Sequence, residues 1–104
     1  MKVLQRGIMR VLPGKMAEAM ELNKKWMAMV SRLAGPLSFR MYRPLFGGEY
    51  MHTIVFELEW DSFAKLAAFF EKMMADREMM AEMPKWEAVV ESHEVELYMV
   101  MPSE

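Results

Sequence analysis

Four stretches of this chain alternate apolar and polar residues with a period of two, and the stretches between them repeat at helical spacing. The two periods sort side chains onto faces in incompatible ways, so their order along the chain dictates the order of elements. Val3 to Leu12 alternates and ends at Pro13-Gly14, a strand and its turn. From Lys15 the period lengthens: Met16, Met20, Asn23, Met27, Val30 and Ala34 form one stripe, stopped by Gly35-Pro36. Leu37 to Tyr42 alternates again until Pro44, which has no amide to donate. Gly47-Gly48 offers a hairpin turn into a third strand from Tyr50, with His52, Ile54, Phe56 and Leu58 on one side.

A second helix starts at Asp61 or Ser62, with Phe63, Leu66, Phe70 and Met73 or Met74 as its stripe. Asp76 caps a short continuation containing Met79, Met80 and Met83, in which Pro84 predicts a kink or restart before Trp86, Val89 and Val90. The last strand sets His93, Val95, Leu97, Met99 and Met101 against Glu94, Glu96, Tyr98 and Val100. Strand, helix, strand, strand, helix, strand is the split βαβ order. It predicts a ferredoxin-like α+β domain over residues 1–104, with a four-stranded antiparallel sheet, strands one and three central, and helices on one face.

The sheet's two faces then differ sharply. Beneath the helices the side chains are almost all apolar, whereas the other face carries Lys2, Arg6, Arg10 and Arg40 against Glu57, Glu59, Glu94 and Glu96. Leu4, Ile8, Val55 and Val100 give that second face an apolar centre with charged flanks, the pattern of an interface. A face balanced in sign pairs with its own copy better than with a polyanion. The expected partner is a second identical chain, meeting this one through Leu4, Arg6, Ile8, Arg10, Arg40, Tyr42, Val55, Glu57, Glu96 and Tyr98.

The net charge of -2 gives no drive toward nucleic acid, and the central strands lack the aromatics that stack on bases. With no cysteine there is neither disulfide nor thiolate chemistry. Lys2, Arg6 and Arg10 interrupt the apolar N-terminal stretch as a signal peptide would not, and no run approaches the roughly 18 apolar residues of a membrane span. A cytoplasmic location without membrane or nucleic-acid contact is expected. Phosphate loops, zinc motifs and nucleophile elbows are missing, so neither metal nor cofactor is expected.

The element order, the Pro13-Gly14-Lys15 turn and the stretch from Phe63 through Asp76, Trp86 and Glu94-Val95-Glu96-Leu97-Tyr98 to Met101 resemble the dimeric α+β barrel superfamily, nearest its NIPSNAP-like members. The resemblance implies two subunits stacking their sheets into a shared barrel, each with a cavity between sheet and helices. Relatives range from antibiotic-biosynthesis monooxygenases and haem degraders to small isomerases and proteins of no known activity, so the fold does not choose a chemistry. The oxygenases and haem degraders place an Asn on the first strand, with a Trp and a His on or near the second helix. This chain has Gln5 but no Asn on strand one and no His between Phe63 and Ser92; only Trp86 matches, loosely.

The cavity is expected to be lined by Gln5, Met9, Asn23, Trp26, Met27, His52, Ile54, Phe70, Trp86 and His93. Gln5 and Asn23 are amides among apolar neighbours, and buried amides need partners or ligands. Fifteen methionines supply pliable, polarizable packing. His52 and His93 are the catalytic candidates, since they alone titrate near neutrality unaided. Three functions remain open: a small-molecule binding protein for an apolar or aromatic compound, a cofactor-independent monooxygenase or isomerase, and a structural dimer without ligand.

Overall fold

The computed structural model describes residues 1–47 and 51–102. Its elements are β1 (Val3–Val11), α1 (Met16–Ala34), β2 (Ser38–Tyr42), β3 (Thr53–Trp60), α2 (Phe63–Ala75), α3 (Arg77–Glu87) and β4 (Val90–Met99). One antiparallel sheet runs β2-β3-β1-β4, and the helices cover a single face of it. Strands one and three are central, as the alternation requires. Gly48 and Tyr50, assigned to the turn and the start of the third strand, lie outside the described residues.

The registers explain the sorting of faces. Val3 opposes Trp60, Gly7 opposes Phe56 and Met9 opposes Ile54, so Val3, Met9, Ile54, Phe56, Leu58 and Trp60 sink together beneath the helices. Arg6 opposes Glu57 on the other face, and Ile8 opposes Val55. At Gly7 a β-carbon would overlap the Phe56 ring, so glycine lets that ring lie across β1. Trp60 stacks on Phe69 of α2 at 5.0 Å and donates through Nε1 to Gln5 at 3.0 Å.

Both helical stripes are rotated from the sequence expectation. In α1, Ala19, Asn23, Met29 and Val30 are buried with Leu22, Trp26 and Leu33 beside them, while Met20 and Met27 stay exposed. Helix α2 buries Leu66 and Phe69 with Met73 alongside, leaving Phe63 58% and Phe70 53% exposed. In each helix apolar residues stand next to one another in sequence, so two phases satisfy the helical period. Packing of one aromatic, Trp26 in α1 and Phe69 in α2, toward the sheet chooses between them.

Ser62 caps α2 by accepting from the Lys65 amide at 3.2 Å, and Asp76 caps α3 by accepting from Met79 at 2.9 Å. Asp76 also takes two bonds from Arg32, at 3.0 and 2.8 Å, clamping the end of α1 to the α2–α3 junction. Helix α3 runs to Glu87 without a break at Pro84. Only three residues follow that proline, so its missing amide removes one bond near the end.

Candidate functional site

A cavity of about 380 Å³ opens between the sheet and helices α1 and α3. Its floor is Met9 of β1, Phe56 of β3 and the first residues of β4; Asn23 and Trp26 of α1 wall one side, and Met79, Glu82, Met83 and Trp86 of α3 the other. The floor depends on an irregularity in β4. Arg10 pairs with Ser92 but Val11 with Val90, so Glu91 is an extra residue on the outer strand. That bulge turns Val90 toward the helices while Ser92 and His93 also reach the rim, a common role for bulges beside binding sites.

Four rings form a file that runs past the cavity. Phe39 meets Trp26 at 5.7 Å, Trp26 meets Phe56 at 5.3 Å, and Phe56 meets His93 at 5.9 Å, all in tilted contacts. These apolar surroundings push the His93 pKa below its ordinary value by desolvating the imidazolium, so the ring is neutral at neutral pH.

Asn23 is the polar group most deeply set in the wall, at 3% exposure. Its Nδ2 donates to the Met41 sulfur at 2.6 Å and approaches the Met27 sulfur at 3.5 Å, while Oδ1 has no partner among the described residues. A thioether is a weak acceptor, so neither orientation of the amide satisfies both ends. On α3, Glu82 accepts from Lys85 through Oε1 at 2.9 Å and leaves Oε2 without a partner among the described residues. Lys85, aided by Lys25, holds the Glu82 pKa below the usual carboxylate value despite some desolvation.

Met9, Asn23, Trp26, Trp86 and His93, expected from the sequence, therefore meet around one space. Five other expected residues do not line it. Gln5 is bonded to Trp60, Ile54 is packed in the core, Met27 reaches the Asn23 amide from an exposed position, and Phe70 faces outward. His52 precedes β3 and is exposed; only its carbonyl joins the sheet, accepting from Val11 at 2.8 Å. The two histidines thus form no acid–base pair at one end of the cavity. Sequence reasoning did not place Phe56, Glu82 or Ser92 there. Phe56 falls on the helix-facing side of the alternation with Ile54 and Leu58, which was a signal for the first, but the bulge that brings Ser92 in has none.

A larger trough of about 610 Å³ lies at the sheet's other end, by Leu37, Trp60 and Phe69. Four of its five charges pair, Lys2 on Glu59 at 3.3 Å and Lys65 on Asp61 at 3.5 Å, with Lys72 the fifth. Among the described residues no polar group there is buried and unsatisfied, so the apolar cavity is the stronger candidate. Among the described residues no three His, Asp or Glu side chains converge to hold a metal, and no helix is long and apolar enough to cross a membrane.

No family model and no curated protein matches the sequence. Solved structures do match. A NIPSNAP family protein from Agrobacterium tumefaciens superposes with a TM-score of 0.83 at 20% identity, over 100% of this chain and 95% of that one. The fold is the one solved for NIPSNAP family proteins. An uncharacterized NIPSNAP domain protein from Burkholderia xenovorans gives 0.80 at 18% identity, covering 97% and 94%. SnoaB, a cofactor-independent oxygenase from Streptomyces nogalater, gives 0.75 at 15% identity, covering 98% and 95%. Those likenesses establish the ferredoxin-like α+β architecture of the NIPSNAP proteins for this chain.

Proposed function

We propose that this chain binds a small apolar or aromatic molecule in the cavity between sheet and helices, and works as a homodimer joined through its open sheet faces. The observation that carries the binding reading is Asn23, a buried amide with an unsatisfied carbonyl in an otherwise apolar wall. An amide so placed costs stability unless something completes its bonds. Met9, Met73, Met79 and Met83 line the space without filling it, which weighs against a structural dimer that takes no ligand.

The test is native mass spectrometry of the purified protein, followed by titration with a panel of apolar and aromatic compounds read by tryptophan emission. Trp26 and Trp86 line the cavity and report occupancy, whereas Trp60 does not line it. A saturable change with at least one compound is expected. Absence of any copurified molecule and of any saturable response would overturn the binding reading.

A second reading, a cofactor-independent oxygenase or isomerase, is favoured by His93. A neutral imidazole at an apolar cavity, beside Trp86, is a competent base for a bound carbon or phenol acid. Gln5 and His52, away from the cavity, have no part in it. Oxygen uptake or isomerisation abolished by His93→Ala and untouched by His52→Ala is the expected pattern.

A further inference from the structure

The cavity's chemistry is one-sided. Its ionisable lining comprises Glu82, Glu87, Glu91 and His93, with no lysine or arginine among the lining residues. The buried polar atoms left without partners at its wall are both acceptors, Oδ1 of Asn23 and Oε2 of Glu82. Trp26, Phe56 and Trp86 present aromatic rings around the same space, and the methionine sulfurs add further electron-rich surface.

The two lysines that act on Glu82 stand outside the lining, and Glu87 and Glu91 add charge beyond what they offset. Lys85 bonds the other oxygen of Glu82 and is itself half exposed, and Lys25 acts on Glu82 only through its field. His93 adds no charge while neutral. A space that offers aromatic faces, carboxylates and unused acceptors is matched by a donor that carries positive charge. A neutral hydrocarbon would leave the Asn23 carbonyl unsatisfied, and a carboxylate would meet three like charges.

We propose that the cavity selects an organic cation, an ammonium group attached to an apolar or aromatic body, with the ammonium held by Glu82 and the Asn23 carbonyl against the faces of Trp26 and Trp86. A metal ion is a poorer match, since no three His, Asp or Glu side chains come together there among the described residues. This inference rests on the binding reading above and names the class of molecule bound.

Three probes of nearly equal size separate the charge from the cavity: 2-phenylethylammonium, 2-phenylethanol and phenylacetate, titrated at low and high salt and followed by tryptophan emission. The ammonium is expected to bind at least about tenfold more tightly than the alcohol, and phenylacetate more weakly than either. Added salt should narrow that gap. Glu82→Gln, and independently the exposed Glu91→Gln, should lower the ammonium-to-alcohol affinity ratio, with thermal unfolding confirming that each variant is folded. Equal affinity for ammonium and alcohol, or a ratio unmoved by either substitution, would overturn the inference and leave the cavity reading standing. Failure of all three probes together with the wider panel would remove the cavity reading itself.

Discussion

Single residues decide whether this sheet can carry a cavity at all. Gly7 is required because Phe56, flanked by Trp26 and His93, has nowhere to move when a β-carbon appears beneath it. Gly7→Ala should therefore destabilise the protein by about 1–3 kcal/mol in urea unfolding, and adding Phe56→Leu should recover part of that loss. Asn23 tests the opposite case. Replacing a half-satisfied buried amide by Leu should leave stability unchanged or raise it by about 1 kcal/mol, while abolishing ligand response in the emission titration. A large loss of stability instead would mean that the sulfur contacts satisfy the amide. His93 makes the third residue-scale prediction. Its folded pKa lies below its unfolded value, so the unfolded chain binds the proton more readily. The associated stability is fully present above the ordinary histidine pKa and falls as pH drops through it toward the folded value. Denaturation midpoints measured from pH 7.5 to 5 should decline in the parent protein and flatten in His93→Gln, with 2D NMR locating the titration of this ring.

Elements were legible in order and face, and illegible in phase. Strand alternation assigns faces without ambiguity, because a slip of one residue would invert every side chain at once. Helices have no such safeguard where apolar residues are doubled: Phe69-Phe70 and Met73-Met74 allow two stripes for α2, and only the docking of Phe69 on Trp60 selects one. The Gln5–Trp60 bond was out of reach for a related reason, since it is diagonal across β1 and β3 and requires the register to be known. The same holds for the extra residue in β4 that turns Val90 inward. Asp76 was readable as a cap, but its second role was not, because Arg32 is 44 residues away in sequence. That double role yields an ordering. Asp76→Ala removes cap and clamp together and should lower the thermal midpoint most; Asp76→Asn keeps an acceptor for Met79 and should lower it less; Arg32→Ala, which leaves the cap intact, should lower it least. Arg32 and the Met79 amide both hold the Asp76 pKa below its usual value. The clamp is thus present above the ordinary aspartate pKa and lost as acid protonates it, so the difference between parent and Asp76→Asn should shrink below about pH 4.

At the scale of the whole molecule the chain is a slab, 40 × 38 × 18 Å, one sheet thick and one helical layer deep. Its radius of gyration is 14.3 Å, against about 13 Å for a compact chain of this length. Its accessible surface of 7183 Å² exceeds the roughly 6,100 Å² expected of a monomer of 12.2 kDa. An excess of about 1,000 Å² is of the order that one partner buries in a standard interface. The open sheet face is suited to supply it. Leu4, Ile8 and Val55 form a half-buried apolar centre, and several of the surrounding charges have partners within the chain, Lys2 on Glu59 at 3.3 Å and Arg6 toward Glu96 at 3.9 Å, with Tyr42 donating to Glu57 at 2.8 Å. Such pairs contribute little to the monomer, and in the proposed dimer they would leave the flanks without a net charge to oppose a second copy. Ile8 stands at the centre of this face, opposite Val55 on one side and Glu94 on the other. If the proposed dimer forms through this face, Ile8→Lys should weaken its association by about 2–4 kcal/mol, roughly 30- to 1,000-fold, by placing a charge at the centre of the proposed interface. The separated subunit should stay folded, because Ile8 lies outside the layer beneath the helices and Glu94 stands beside it to pair with the new charge. Sedimentation at tens of micromolar should therefore show a dimer for the parent and a folded monomer for Ile8→Lys; a parent that sediments as a single subunit at that concentration would leave the excess surface without a partner.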